Sequence, residues 1–172
     1  MNMGMTPVNF FELFVLGNIK DCHYNPGCLR RAFNASLAAS HLADQYFTYN
    51  KFHNPSLVSS FNTIGEYVNY ISEKTDGAFR DVRSIANAYK HLYTDSNPKK
   101  IKYNTVSSPA VVESIEIHED DVGINLISSE FAPKSTIQEK ISFTRIDGSK
   151  SELLPILKAV VDYWESVIYR SS

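Results

Sequence analysis

The residues from Asp81 to His91 combine unlike polar groups at a spacing that could support chemistry. Arg83, Asn87 and His91 follow one another at intervals of four residues, so a helix would place their side chains in one row. An arginine can hold phosphate through two parallel hydrogen bonds, an amide can orient a ligand, and a histidine titrates near neutral pH. Metal-independent RNA cleavage or nucleotide binding would use these groups. A polar dimer interface would use them equally well.

The other residues of this helix indicate which way the row points. Advancing by about 100° per residue separates an apolar stripe from a polar one. The apolar stripe contains Phe79, Val82, Ile85, Ala86, Tyr89 and Leu92. The polar stripe, called the basic face below, contains Arg80, Arg83, Asn87, Lys90 and His91. We therefore predict that the basic face points away from the core as an interface or ligand face, with His91 and Arg83 as the candidate catalytic residues.

A helical bundle whose late helix carries an arginine, a polar residue and a histidine resembles the HEPN domains. These are prokaryotic helical modules of toxin and phage-defence systems, and many of them are RNases that pair two Arg/His helices across a dimer. The resemblance covers about Cys28 to Thr94 and implies that Arg83 and His91 are the candidates for that chemistry. Seven residues separate Arg83 from His91, which is more than that family's motif has. A noncatalytic relative that uses the same face for dimerisation or partner binding also fits the pattern.

The composition indicates a single globular domain. The chain has 172 residues, of which 43% are hydrophobic, enough for one well-buried core and too few for two. We therefore expect one α+β domain over 1–172, with a helical part at about 7–94 and a sheet with a final helix at about 110–170. The net charge of -2 gives no overall attraction to nucleic acid or anionic lipid, so such binding would need a local patch.

The charged residues are unevenly distributed along the chain. Between Asp76 and Lys102, six lysines and arginines outnumber three aspartates. Between Val111 and Glu130, six acidic residues occur with no lysine or arginine. The two segments could pair within the chain or between chains, so we predict a homo-oligomer or a protein partner, with RNA as a further candidate partner.

Motifs for cofactors and metals are weak or missing. The sequence has no Walker-type glycine loop, no Rossmann glycine fingerprint and no G-x-S-x-G elbow. Cys22 and Cys28 lack the second pair of a zinc site, even with His23 beside them, so we interpret them as reduced thiols. The acidic stretch 118–121 could hold a divalent ion and the basic stretch 99–103 could touch phosphate, but both patterns are typical of solvated surface. We predict no cofactor and no metal.

The N-terminal residues do not resemble a signal peptide. Met1 to Met5 has no positive charge, and Glu12 interrupts the apolar run that follows. The apolar runs are also shorter than the roughly 20 residues needed to cross a bilayer. We therefore expect a cytoplasmic protein with no membrane partner.

Turn and capping signals divide the first part of the chain into four helices. We predict them at about 7–20, 28–49, 55–74 and 78–93. Thr6-Pro7 and Asn54-Pro55 supply the start signals of the first and third helices, and Thr75-Asp76-Gly77 separates the third from the fourth. This short connection predicts an antiparallel pair. His41 falls on the polar side of the second helix and is predicted to be exposed.

Alternating β-branched residues beyond residue 110 predict strands. The expected strands are Val111–His118, Gly123–Ser128 and Ile137–Ile146, with an acidic hairpin turn at 119–121. The residues predicted to point inward are Ile115, Ile117, Ile124, Leu126, Ile141 and Phe143.

Asp147-Gly148 predicts a tight turn before the last helix. The chain can continue after this turn in either of two ways. The chain could form a short returning strand through Lys150 to Leu153, or Ser149 could cap the helix in a capping box. Pro155 favours the strand, because proline fits the opening turn of a helix, which we place at about Pro155–Tyr169.

Together these features predict an α+β fold. An N-terminal antiparallel bundle of about four helices is followed by a small antiparallel β-sheet that a C-terminal helix covers. The leading functional hypothesis is a noncatalytic bacterial or phage protein that acts through oligomerisation or protein contacts at the basic face. The alternative is a HEPN-like metal-independent RNase or nucleotide-binding protein, in which His91 supplies acid–base chemistry and Arg83 stabilises the anion.

Overall fold

The computed structural model describes residues 5–91, 105–119 and 136–169. Within these ranges the elements follow the predicted order of a helical bundle, a three-stranded antiparallel sheet and a final helix, which confirms the α+β class. No helix in them is both long and apolar enough to cross a bilayer. The α-helices are α1 (Pro7–Phe10), α2 (Gly17–Tyr24), α3 (Leu29–His53), α4 (Ile64–Lys74), α5 (Ala78–His91) and α6 (Leu153–Ile168). The strands are β1 (Val112–Glu119), β2 (Thr136–Thr144) and β3 (Lys150–Glu152).

The first helical segment is longer than predicted. Its start agrees with the prediction, because the Thr6 hydroxyl oxygen accepts a hydrogen bond from the backbone N–H of Asn9 at 3.1 Å. A π-helix at Phe11–Leu16 then joins α1 directly to α2. The segment ends at Tyr24 rather than near Lys20, because the first strong helix-breaking residues follow Tyr24.

α4 begins later than the sequence pattern predicted, so that prediction was wrong. Asn54-Pro55 starts only a single 3₁₀ turn, Pro55–Leu57. The helix begins after Thr63, whose hydroxyl oxygen accepts a hydrogen bond from the N–H of Glu66 at 3.2 Å. The Glu66 carboxylate in turn accepts one from the N–H of Asn62 at 2.7 Å. These two contacts satisfy the backbone N–H groups of Asn62 and Glu66 and fix the start of α4. The side chain of Asn54 makes no capping hydrogen bond to the backbone.

One hydrophobic cluster is shared by the helices and the sheet. α3 makes its most extensive helix contact with α5. Small side chains let two helix backbones approach closely, and α5 is consequently buried around most of its circumference. The buried small residues of α3 are Ala32, Ala35, Ser36, Ala38, Ala39, Ser40 and Ala43.

In the sheet, β2 pairs with β1 on one side and β3 on the other, both antiparallel. Ile141 and Phe143 are buried, as predicted, and Ile141 lies opposite Ser114. Because side chains alternate between the two faces of a strand, Ile115 and Ile117 project from the other face. The prediction that these two isoleucines point inward was wrong. Alternation within one strand does not say which set of side chains the pairing register turns toward the core.

Asp147-Gly148 forms the tight turn that its sequence predicts. Gly148 has a φ of 85°, a conformation that residues with a Cβ rarely adopt. The Ser149 hydroxyl donates a hydrogen bond to the Asp147 carboxylate at 2.7 Å, so the alternative in which Ser149 caps the last helix is wrong. The short strand β3 follows instead, and α6 begins at Leu153, two residues before Pro155.

α6 covers the sheet, as predicted. It packs against α2, α3, α5 and β2. Its apolar stripe thereby joins the bundle to the sheet in one core. The buried residues of α6 are Leu153, Leu157, Val160, Val161, Trp164 and Ile168.

A buried ion pair ties α5 to the sheet. Arg145, which follows β2, contacts the Asp81 carboxylate through Nη2 at 2.6 Å and through Nε at 3.0 and 3.1 Å. The Thr105 hydroxyl donates to the same carboxylate at 2.7 Å. The side chain of Asp81 is only 5% exposed and that of Arg145 is 22% exposed. Asp81 therefore has a structural role: it fixes the position of α5, and with it the basic face, relative to the sheet.

Candidate anion-binding face

The residues of the basic face are all half-buried or exposed. Arg80, Arg83 and Asn87 are half-buried, whereas Lys90 and His91 are exposed. The residues between them on α5 are mostly buried. The predicted separation of a polar from an apolar stripe agrees with the burial of Phe79, Val82, Ile85 and Ala86. It was wrong for Tyr89, which is 43% exposed, and Leu92 lies outside the described residues.

Arg83 pairs with a carboxylate of the neighbouring helix. Its Nη1 and Nη2 lie 3.2 and 3.4 Å from the two carboxylate oxygens of Asp44 on α3. Their side chains are 28% and 42% exposed, so solvent screens the pair and it contributes little to stability. The prediction that the whole basic face points away from the fold was wrong for Arg83, because α3 crosses α5 at this position.

A groove between α4 and α5 lies next to this ion pair. Its volume is about 420 Å³, and α5 lines it with Arg80, Arg83 and Asn87. These side chains offer two guanidinium groups and one amide, which donate hydrogen bonds to an anion in fixed directions. The groove residues of α4 and its N-cap are Thr63, Ile64, Gly65, Glu66, Val68, Asn69 and Ser72.

His41 of α3 lies beside Lys90 of α5. The Lys90 ammonium donates to Nε2 of His41 at 3.3 Å, so this nitrogen is an acceptor and the imidazole is uncharged. Burial lowers the pKa of His41 below its ordinary value, Lys90 and Arg83 lower it further, and Asp44 opposes them. The prediction that His41 is simply exposed was wrong, because α5 packs against this side of α3.

His91 is separated from Arg83 within one chain. A rise of 1.5 Å per residue places position 91 about 12 Å along the helix axis from position 83. His91 is exposed at the last described residue of α5 and does not line the groove. The two candidate catalytic residues therefore do not converge in a single chain.

A larger groove lies between α2, the sheet and α6. Its volume is about 1230 Å³, and apolar side chains such as Ile19, Ile141 and Leu154 form much of its wall. Lysines and glutamates both occur at its edge, so its charge favours neither anions nor cations. None of the predicted site residues lines it.

The remaining predictions concern the basic stretch, the second strand, the two cysteines and metal binding. The basic stretch 99–103, the strand at 123–128 and residues 120–121 of its predicted hairpin turn lie outside the described residues. Glu119, which was assigned to that turn, is the last residue of β1. Cys22 and Cys28 are both free, and burial raises the pKa of the Cys22 thiol to about 11. Within the described ranges, no group of three or more His, Cys, Asp or Glu side chains is arranged to hold a metal ion.

Sequence reasoning missed the partners that α3 supplies. His41 and Asp44 are three residues apart and therefore share one side of α3. A search for complementary polar groups at matching helical spacing on two helices would have raised them as candidates. Only the packing of α3 against α5 shows that they face Lys90 and Arg83.

Comparison with known proteins adds no further assignment: no family model, curated protein or solved structure matches this chain. The function is therefore inferred from the geometry of the basic face.

Proposed function

We propose that this chain is a noncatalytic protein that acts as a homo-oligomer, with the basic face at the interface. The observation that carries the proposal is the equal spacing of Arg83 and His91 on either side of Asn87. If two α5 helices lie antiparallel about a twofold axis at Asn87, Arg83 of one copy is level with His91 of the other. An interface of this kind is self-complementary, because every residue pair occurs twice.

The charges around the basic face also support self-association. Asp44 pairs with Arg83, and Glu66 lines the groove beside Arg80 and Asn87. Two copies would therefore bring together charges of both signs rather than two purely basic surfaces. Such an interface weakens as ionic strength rises, because salt screens partly exposed charges.

Sedimentation equilibrium at low and high salt tests the assembly. Arg80→Glu should shift the protein toward the monomer, because it replaces a cation of the face with an anion. Lys51→Glu is the matched control, since Lys51 is exposed near the end of α3 and lies outside the basic face. A monomer at every concentration in low salt, or equal assembly of Arg80→Glu and the unsubstituted protein, contradicts the proposal.

The alternative is a HEPN-like metal-independent RNase or nucleotide-binding protein of a toxin or phage-defence system. The same twofold arrangement supports this alternative, because it unites an Arg83 and a His91 that one chain keeps apart. His91 would then transfer protons and Arg83 would hold the phosphate. The contact with Asp44 favours the noncatalytic function, since it already engages the Arg83 guanidinium.

Incubation of the purified protein with total RNA in the presence of a chelator separates the two functions. His91→Ala and Arg83→Ala are assayed beside the unsubstituted protein. Cleavage that both substitutions abolish establishes the RNase. Equal cleavage by all three proteins indicates a contaminant, and either that result or no cleavage by any of them removes the RNase hypothesis.

We place this function in the cytoplasm as part of the same proposal. Cys22 and Cys28 are free thiols, which is typical of proteins in a reducing compartment.

A further inference from the structure

We infer that a single chain binds a phosphate group where α3 meets α5, with Lys90, Arg83 and His41 as the donors. This site needs no second copy and does not include His91. It therefore goes beyond the proposed assembly and can be tested separately from it.

The three donors converge because both α5 side chains reach toward the same part of α3. Arg83 and Lys90 are seven residues apart on α5, which is about two helical turns. Their charged ends nevertheless contact Asp44 and His41, which are three residues apart on α3. Such helix neighbours have Cβ atoms about 5–6 Å apart. The oxygens of one phosphate can bridge side chains at this spacing.

The charge of the cluster suits an anion. Lys90 and Arg83 supply two positive charges, Asp44 supplies one negative charge, and His41 is uncharged. Within the described part of the chain, Lys90 contacts the imidazole of His41 and forms no ion pair with a carboxylate. A phosphate dianion would supply a counter-charge to Lys90 and Arg83 through charge-assisted hydrogen bonds.

A bound anion would also change the protonation of His41. In the free protein the pKa of His41 is lowered by burial and then by Lys90 and Arg83, with Asp44 opposing these effects. A phosphate between the cations and the imidazole offsets their charge and raises this pKa. His41 then takes up a proton, and its Nε2 changes from an acceptor of Lys90 to a donor toward the anion. Anion binding is therefore expected to be coupled to proton uptake.

Asp44 competes with the ligand. Its carboxylate holds the Arg83 guanidinium and repels a second anion. Removal of this charge frees the guanidinium while leaving the shape of the side chain nearly unchanged. Asp44→Asn should therefore bind phosphate more tightly, a result that a purely structural role of the cluster does not produce.

Isothermal titration with inorganic phosphate at neutral pH tests the site. Lys90→Gln is expected to weaken binding about tenfold, because one charge-assisted hydrogen bond is lost. Asp44→Asn should tighten it several-fold, and the control Lys51→Gln should leave it unchanged. Binding should persist at protein concentrations low enough for sedimentation to show only the monomer. Absence of binding, or equal affinities of the unsubstituted, Lys90→Gln and Asp44→Asn proteins, overturns the inference.

Sulfate tests the proton linkage, because it stays a dianion over the range in which histidine titrates. Binding should strengthen as pH falls through the ordinary pKa of histidine, and His41→Gln should remove most of this dependence. Thermal melts followed by the fluorescence of buried Trp164 confirm that each variant is folded. A pH dependence that is identical in His41→Gln contradicts the role of His41.

The source of the phosphate group is identified by comparing 5′-AMP with a short single-stranded RNA. Tighter binding of the RNA, with a steeper loss of affinity as salt rises, assigns the site to a nucleic-acid backbone. Equal affinities assign it to a free nucleotide. If Lys90→Gln affects neither ligand, the inference fails for both.

Discussion

Removal of the Asp81 carboxylate should destabilise the protein strongly, because this group is the buried connection between α5 and the sheet. Asp81→Ala eliminates the contacts of Arg145 at 2.6 to 3.1 Å and the hydrogen bond from Thr105 at 2.7 Å. Arg145 is then left as a partly buried charge without its partner. Among the described residues, Arg145 also donates a hydrogen bond to the Ser149 hydroxyl at 3.2 Å. This hydroxyl is exposed and uncharged, so it does not replace the buried carboxylate.

The magnitude follows from burial. Breaking a buried ion pair by removing one partner costs about 3–5 kcal/mol. Arg145 retains 22% exposure and can recover some hydration, so we expect about 3 kcal/mol, the lower end of that range. For a chain of this size, that loss corresponds to a fall in Tm of about 6–12 °C.

Denaturant unfolding followed by Trp164 fluorescence measures the effect. Trp164 is the only tryptophan and is fully buried, so its emission reports the loss of the core. Arg83→Ala is the matched control, because the ion pair of Arg83 with Asp44 is 28% and 42% exposed and should contribute about 0–1 kcal/mol. The double variant Asp81→Ala/Arg145→Ala should be no less stable than Asp81→Ala alone, since it leaves no unpaired buried charge.

Two results would refute this reasoning. One is a loss of less than about 1 kcal/mol in Asp81→Ala, the value of a surface pair. The other is an additive double variant, which would mean that Asp81 and Arg145 act independently.

Three further predictions concern local features of the fold. Thr63→Ala removes the cap of α4 and should lower the free energy of unfolding by about 1 kcal/mol in denaturant titrations. Gly27→Ala should lower it by about 1–3 kcal/mol, because a Cβ at Gly27 would lie 2.5 Å from the Cβ of Glu139. Iodoacetamide at about pH 8 should modify half-buried Cys28 before Cys22, because burial raises the pKa of the Cys22 thiol to about 11 and restricts access to it.

Each of these predictions has a control and a contradicting result. Thr63→Ser keeps the capping oxygen, so a loss of stability equal to that of Thr63→Ala would show that the cap is not the cause. A Cβ at Gly17 would have no atom within 4 Å, so Gly17→Ala is the control. A larger loss of stability in Gly17→Ala than in Gly27→Ala would contradict the steric explanation. For the cysteines, mass spectrometry of partly modified protein identifies the labelled residue, and equal rates at Cys22 and Cys28 would contradict the assignment of burial.

The sequence predicted the helices well because their signals are local. The Thr6 cap, the break at Thr75-Asp76-Gly77 and the turn at Asp147-Gly148 each act over a few residues, and all three occur in the structure. The start of α4 was misplaced because two capping signals competed, at Asn54 and at Thr63. The helix begins after Thr63 because the side chains there satisfy more backbone donors than the side chain of Asn54 does.

The candidate site could be predicted only in part. The helical period by itself determined that Arg83, Asn87 and His91 share one side of α5, since this depends on a single helix. The tertiary structure decided that Asp44 holds Arg83, that Lys90 contacts His41 and that Arg145 binds Asp81. These contacts join residues far apart in sequence, and the way the elements pack brings them together. The residue types of this face were thus determined by the sequence, whereas its partners and the lowered pKa of the neighbouring His41 arose only when α3 and α5 packed together.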